Sequence, residues 1–196
     1  MDWFDLIKNY NIVLASKSPR RQKLLRALGV DFSVQTQEVD EVYDPSLIEV
    51  EITDYLACLK AKEFTNLGPK DILITSDTIV WINGRALGKP KDLIEAREML
   101  ELLSNERHSV FTSIALTTRK NQVVQGAETA VEFAELSPSV LDWYLANYEV
   151  LDKAGAYGVQ TGIGLTHVTT ITGSYYNVMG LPTHLLPGLF EQVLAD

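Results

Sequence analysis

The stretch "DILITSDTIVWINGRALGKP", residues 71–90, decides the fold. Its first twelve residues are apolar and rich in β-branched side chains, the composition of a strand. Asn83-Gly84 then signals a tight hairpin turn, so a second strand returns along the first. Hairpins among the strands argue against a purely doubly wound sheet, in which crossover helices separate parallel strands. One polar residue stands out within the apolar run. Burying the carboxylate of Asp77 unpaired costs several kcal/mol, so it calls for a cation, a metal or strong donors. Lys89, in "GKP", returns to the same end of the hairpin. A carboxylate held there could bind a divalent metal or take a proton from water. An aspartate at a strand edge paired with a neighbour is the plainer alternative.

Upstream, "NIVLASKSPRRQKLLRALG" (residues 11–29) reads as a strand, a Ser-Pro corner and a helix closed by Gly29. Ser18 suits the N-cap and Pro19 the first helical position, which places Arg20 and Arg21 in the first turn. Cations there oppose the helix dipole by about 0.3–1 kcal/mol each. The other Ser-Pro helix start, "SPSVLDW", has no basic residue in its first turn. A bound anion would reverse the argument, because free N–H groups and two guanidinium forks would converge on phosphate oxygens. A solvated face or pairing with carboxylates would also accommodate both arginines.

"VDFSVQT" reads as a second strand. Asp44-Pro45-Ser46 leads into a long helix with Ser46 and Glu49 spaced as a capping box and Ile48, Ile52, Tyr55 and Leu59 on one face. Downstream of the hairpin, Leu93, Ala96, Leu100 and Leu103 mark another helix. Strands are expected over about 107–118 and 122–134 around the turn "TTRKN". Ser137-Pro138 opens a helix that buries Leu141, Tyr144, Leu145 and Tyr148, and the last third is glycine-rich and strand-like until a closing helix from about Pro182. This is a mixed α/β pattern without repeats or low-complexity segments.

The 196 residues suffice for a substantial core, and 46% hydrophobic with 22% charged residues is an ordinary globular balance. A net charge of −9 argues against nucleic-acid or anionic-membrane surfaces, although a few local charges can still hold a small anion. No apolar run approaches the ~20 residues that span a bilayer, and the N-terminus lacks a signal-peptide pattern. The single cysteine, Cys58, cannot form an internal disulfide, which suits a reducing cytoplasm. Asp40 and Glu41 follow the second strand as metal partners or as a solvated acidic loop. Lys60 reads as a surface lysine. His108, His167 and His184 are isolated and lack metal-ligand spacing. Neither a Walker A loop nor a G-x-G-x-x-G is present. "DKAGAYGVQTGIG" and "GSYYNVMGLP" hold glycines that allow close approach of backbone to a ligand. There Lys153 adds a charge, and Gln160 both donates and accepts, which suits the polar edge of a base.

Eight segments in order carry a resemblance: "LASKSPRRQKLL", "VDE", "LACLKAKEF", "SDTIV", "LGKPKD", "LSNERHSVFTSIAL", "DKAGAYGVQ" and "GSYYNVMGLP". Across nearly the whole chain the sequence resembles the Maf family of nucleoside triphosphate pyrophosphatases. The resemblance implies one domain over residues 1–196. Its expected fold is α/β and ITPase-like, an elongated mixed sheet flanked by helices, with two lobes around a central cleft. It also implies hydrolysis of a nucleoside triphosphate to the monophosphate and pyrophosphate with Mg²⁺ or Mn²⁺. The family's general base falls on Asp77, phosphate-binding positions on Arg20, Arg21, Lys60 and Lys89, and Ser16 lies in the same loop. The metal is expected at Asp77 with Glu41.

The branch acting on dTTP and UTP has "SPRR", "DT" and "AYGIQ", which this chain matches through Arg20, Thr78 and Gln160. The branch acting on 7-methylguanosine triphosphate has Trp, Gln and Glu at those positions. Ser76, Val150 and Asn105 depart from the usual Ala, Pro and Gly. The alternatives are pyrophosphatase action on 7-methyl-GTP or another modified nucleotide, and a non-catalytic nucleotide-binding regulator of septum formation. A homodimer is compatible with the resemblance; nucleic acid and membrane are not expected partners.

Overall fold

The structure is a computed structural model that describes residues 3–195. Helix α1 (Trp3–Ile7) leads into β1 (Asn11–Leu14), α2 (Pro19–Ala27) and a two-residue β2 (Ser33–Val34). Then follow α3 (Val50–Lys62), β3 (Asp71–Ile82), β4 (Arg85–Leu87), α4 (Leu93–Leu103), β5 (Arg107–Thr117), β6 (Gln122–Phe133) and α5 (Pro138–Asn147). The last part holds α6 (Ile163–Thr166), β7 (Val168–Thr172), α7 (Tyr175–Val178) and α8 (Leu186–Leu194), with 3-10 turns at 154–156 and 183–185.

Seven strands form one mixed sheet in the order β2-β1-β3-β5-β6-β7, with β4 paired to β3. β1 pairs in parallel with both β2 and β3, whereas β3–β4 and β6–β7 are antiparallel. The expected hairpin is present: Val80 lies opposite Leu87, and Asn83 and Gly84 both have positive φ (51° and 74°), as a type I′ turn requires.

The chain divides into two compact units. The first comprises residues 1–77, 112–127 and 180–196; the second comprises 78–111 and 128–179. The first unit buries the central residues of β1 and β3, with Val13, Leu73 and Ala61 in one cluster. Phe190 of α8 is fully buried and stacks on Trp3 at 5.5 Å. The second unit buries Ala96, Leu100 and Leu103 of α4 and Leu141 and Tyr144 of α5. Asp92 caps α4, its Oδ1 accepting from the Ile94 and Glu95 backbone N–H groups at 3.0 and 2.9 Å.

Several expectations change. The strand at "VDFSVQT" shrinks to two residues, and the glycine-rich last third forms turns and short helices around a single strand. The capping box at Ser46 and Glu49 does not form. α3 starts at Val50, the Ser46 backbone N–H donates to Asp44 Oδ1, and Glu49 has φ 51° with no side-chain cap. Once the start moves, the buried face moves too. Ile52, Thr53, Leu56, Ala57 and Ala61 face inward, while Ile48 and Tyr55 are exposed. Leu93, Ala96, Leu100 and Leu103 do mark a helix, α4, with Leu93 exposed at its first position and the other three buried.

Candidate functional site

The first unit gathers a cluster of candidate side chains at the carboxyl end of β1, the side of an α/β sheet where ligands usually gather. Leu14 is level with Ile74, and the Ala15 N–H continues the ladder to the Ile74 carbonyl at 2.9 Å. Two residues later Ser16 is buried, and its Oγ accepts from the Ser18 N–H at 3.2 Å, which fixes the Ser-Pro corner. Ser18 caps α2 as expected, with Pro19 at the helix start. Arg20 and Arg21 therefore lie in its first turn.

Asp77 is buried within β3. Its cation is Lys60, in the last turn of α3, whose Nζ donates to Asp77 Oδ1 at 2.5 Å. The same ammonium meets Glu41 Oε1 at 2.9 Å. Lys60 is thus no surface lysine: its side chain is 15% exposed and bridges two carboxylates from distant parts of the sequence. Both are hard oxygen donors converging on one cation-sized point. Among the described residues no group of three or more His, Cys, Asp and Glu side chains forms a metal cluster. A pair of carboxylates fits Mg²⁺ or Mn²⁺, which is commonly held by one or two carboxylates and completed by phosphates and water.

Arg21 turns inward. Its Nε donates to the Gly180 carbonyl at 2.7 Å, and its Nη1 donates to the Ser76 carbonyl at 2.9 Å. Ser76 Oγ reaches the same Gly180 carbonyl at 3.4 Å. Desolvation lowers the Arg21 pKa from its ordinary value; Asp77 and Glu41 favour its charge and Arg20 opposes it. These influences put both arginines and both carboxylates within one electrostatic neighbourhood. The sequence offered no sign that Ser76 and Gly180 would be the partners of Arg21, since backbone carbonyls carry no side-chain signature.

Thr78, Lys89 and Gln160 belong to the second unit. Thr78 is half-buried and follows Asp77 along β3. Lys89 is exposed and lies two residues beyond the last β3–β4 pair, Val80 with Leu87. The glycine-rich segment lies beside it, for the Gly155 N–H donates to the Gly88 carbonyl at 3.1 Å. Gly155 has φ 64°, and a Cβ there would meet Val80 Cγ2 at 2.8 Å, so the chain needs glycine for both conformation and space. Gln160 ends this segment with its Oε1 buried and without a hydrogen-bond partner.

Lys153 is buried too, but its ammonium donates to the Glu149 carbonyl and the Asp152 carboxylate within its own segment. "GSYYN" acts as a strut. The buried Asn177 donates to the Val110 carbonyl at 2.9 Å and to Thr129 Oγ1 at 3.0 Å, tying β5 to β6. His108 belongs to the core, with Nε2 2.8 Å from the Tyr157 hydroxyl and Phe133 beside both rings.

Residues 11–193 match the family model described as Maf-like protein. The chain is 48% identical over 177 residues to the dTTP/UTP pyrophosphatase of Flavobacterium psychrophilum, covering 90% of this chain and 91% of that protein. It is 46% identical over 191 residues to the dTTP/UTP pyrophosphatase of Christiangramia forsetii, covering 97% of each. The Ham1 protein of Staphylococcus aureus is a looser structural likeness, with a TM-score of 0.46 and 18% identity over 63% of this chain and 72% of that one. That likeness is too slight to carry an argument. The chain belongs to the Maf family.

Proposed function

We propose that the chain is a nucleotide pyrophosphatase that hydrolyses dTTP and UTP to the monophosphate and pyrophosphate, with Asp77 as general base. The observation that carries this reading is the pair of carboxylates, Asp77 and Glu41, gathered on Lys60. Binding a nucleotide does not require a buried carboxylate, whereas attack of water on an α-phosphorus benefits from one. Arg20, Lys60 and Lys89, with the Ser16 corner, meet the triphosphate and stabilise charge on the departing pyrophosphate. A divalent cation held by Asp77 and Glu41 would neutralise phosphate charge and polarise the phosphoryl group.

Base choice rests with Gln160 and Thr78. A buried carbonyl oxygen left without a donor costs about 1–3 kcal/mol. The N3–H of thymine or uracil supplies that donor to Gln160 Oε1, while cytosine presents an acceptor at the same place. The relatives, dTTP/UTP pyrophosphatases by name, support a pyrimidine preference.

The test is pyrophosphate release from dTTP, UTP, CTP, dITP and 7-methyl-GTP with Mg²⁺ or Mn²⁺, repeated after chelation by EDTA. Release from dTTP and UTP that stops on chelation and returns with metal is the expected result. A preference for 7-methyl-GTP would keep the chemistry and discard the reading of the base. Tight binding without release would mark a regulator instead.

A further inference from the structure

We infer that Arg21 is a positioning residue for Asp77 and not a phosphate ligand: its guanidinium fork holds the Ser76 and Gly180 carbonyls, and the Ser76 peptide sets the direction of the Asp77 side chain. The inference rests on Asp77 acting as the base of the proposed hydrolysis. Its physical ground is the location of the two bonds. The Ser76 carbonyl belongs to the peptide whose nitrogen is that of Asp77, so the 2.9 Å bond from Arg21 Nη1 fixes the plane from which the Asp77 Cα–Cβ bond departs. The 2.7 Å bond from Nε ties the same guanidinium to Gly180, and Ser76 Oγ reaches that carbonyl as well. A weaker approach of Nη1 to Ser16 Oγ at 3.5 Å brings the Ser-Pro corner into the knot.

One planar group thus joins α2, β3 and the chain before α8 in the first unit, which a lysine ammonium, lacking the fork, cannot reproduce. It also accounts for a cation in the first turn of α2, where the helix dipole disfavours it: the charge is met by two carbonyl oxygens and by the field of Asp77 and Glu41. Neighbouring Arg20 is left to carry the phosphate role.

The decisive variant is Arg21→Lys, which keeps the charge and loses the fork. The expected result is a fall in kcat for dTTP of about 100-fold, the loss typical of a misplaced catalytic group. KM and the dissociation constant of α,β-methylene-dUTP should stay within about twofold of the parent, because ground-state phosphate binding is untouched. A rise in KM and in the analogue's dissociation constant with kcat held would make Arg21 a phosphate ligand and overturn the proposal. Unchanged kinetics would overturn it equally.

A second measurement needs no folded variant and no turnover. In ¹⁵N-arginine-labelled parent protein without ligand, the Arg21 Nε–H should be protected from solvent exchange by the Gly180 carbonyl. A fast-exchanging Nε–H would sink the proposal whatever the kinetics say. If the parent protein hydrolysed no nucleotide, the proposed function would fail while this Nε–H signal still reported on the knot.

Discussion

Asp77 and His108 are buried and Gln160 buries its Oε1, and each of these polar groups meets a different environment. Asp77 is paired with Lys60, and Asp77→Asn removes the proposed base while leaving the hydrogen-bonding outline of the side chain. We expect kcat for dTTP to fall by about 10²–10⁴-fold, the usual worth of a positioned base, with an unchanged circular dichroism spectrum. A fully active Asp77→Asn protein would refute the role. Gln160→Ala removes the orphaned acceptor. It should lower kcat/KM for dTTP by about tenfold, roughly 1.4 kcal/mol, and leave dCTP little affected, so competition between the two substrates reads the effect directly. His108 is uncharged in the fold, because burial pushes its pKa down to about 4 from 6.5. The unfolded chain then binds a proton that the folded chain refuses between those values. Stability from this group is full above about pH 6.5 and is lost as pH falls toward 4, by at most about 3 kcal/mol. The melting temperature of the parent protein should therefore drop more steeply from pH 7 to 5 than that of His108→Gln. Parallel pH profiles would show that His108 is not the group responsible.

Each element contributes by where it stops. β1 ends at Leu14, one residue before the ladder closes on Ile74, and the chain turns at once into the Ser18 cap of α2. That economy puts Ser16, Arg20 and Arg21 together. β4 ends at Leu87, and its type I′ turn fixes the register that brings Gly88 to Gly155. Gly155→Ala tests that contact. The new methyl would face Val80 Cγ2 at 2.8 Å from a left-handed backbone. A loss of about 1–3 kcal/mol is expected in urea unfolding, from strain and overpacking together. An unaltered midpoint would mean that the segment relaxes freely. Strand and hairpin positions were legible because alternation, β-branching and Asn-Gly are local signals. The start of α3 was not. Ser46 and Glu49 had the spacing of a capping box, yet Asp44 takes the Ser46 N–H and Glu51 takes that of Ile48, so the helix begins three residues later than the box would place it.

At the scale of the whole molecule, both described ends of the chain belong to the first unit. Trp3 stacks on Phe190, and α8 buries Leu186, Leu189, Phe190 and Val193. Phe190→Ala should cost about 3–5 kcal/mol, visible as a lower denaturant midpoint, because a fully buried ring leaves a cavity that its neighbours cannot fill. No helix of the described residues is long and apolar enough to cross a membrane. At a net charge of −9, the proposed triphosphate site depends on the few cations near Asp77.

By itself the sequence determined the hairpin at residues 71–87, the two Ser-Pro helix caps, the mixed α/β class and the membership of Asp77 in a special environment. These follow from backbone propensity, local turn chemistry and the penalty on an unpaired buried carboxylate, all of which act over a few residues. Only the tertiary structure decided which cation answers that carboxylate and what the second arginine holds. Lys60 is 17 residues from Asp77 and Gly180 is 159 from Arg21, and at such separations the pairing is set by how elements pack. A carbonyl oxygen is the same on every residue, so its selection by Arg21 is written in the fold and in no motif.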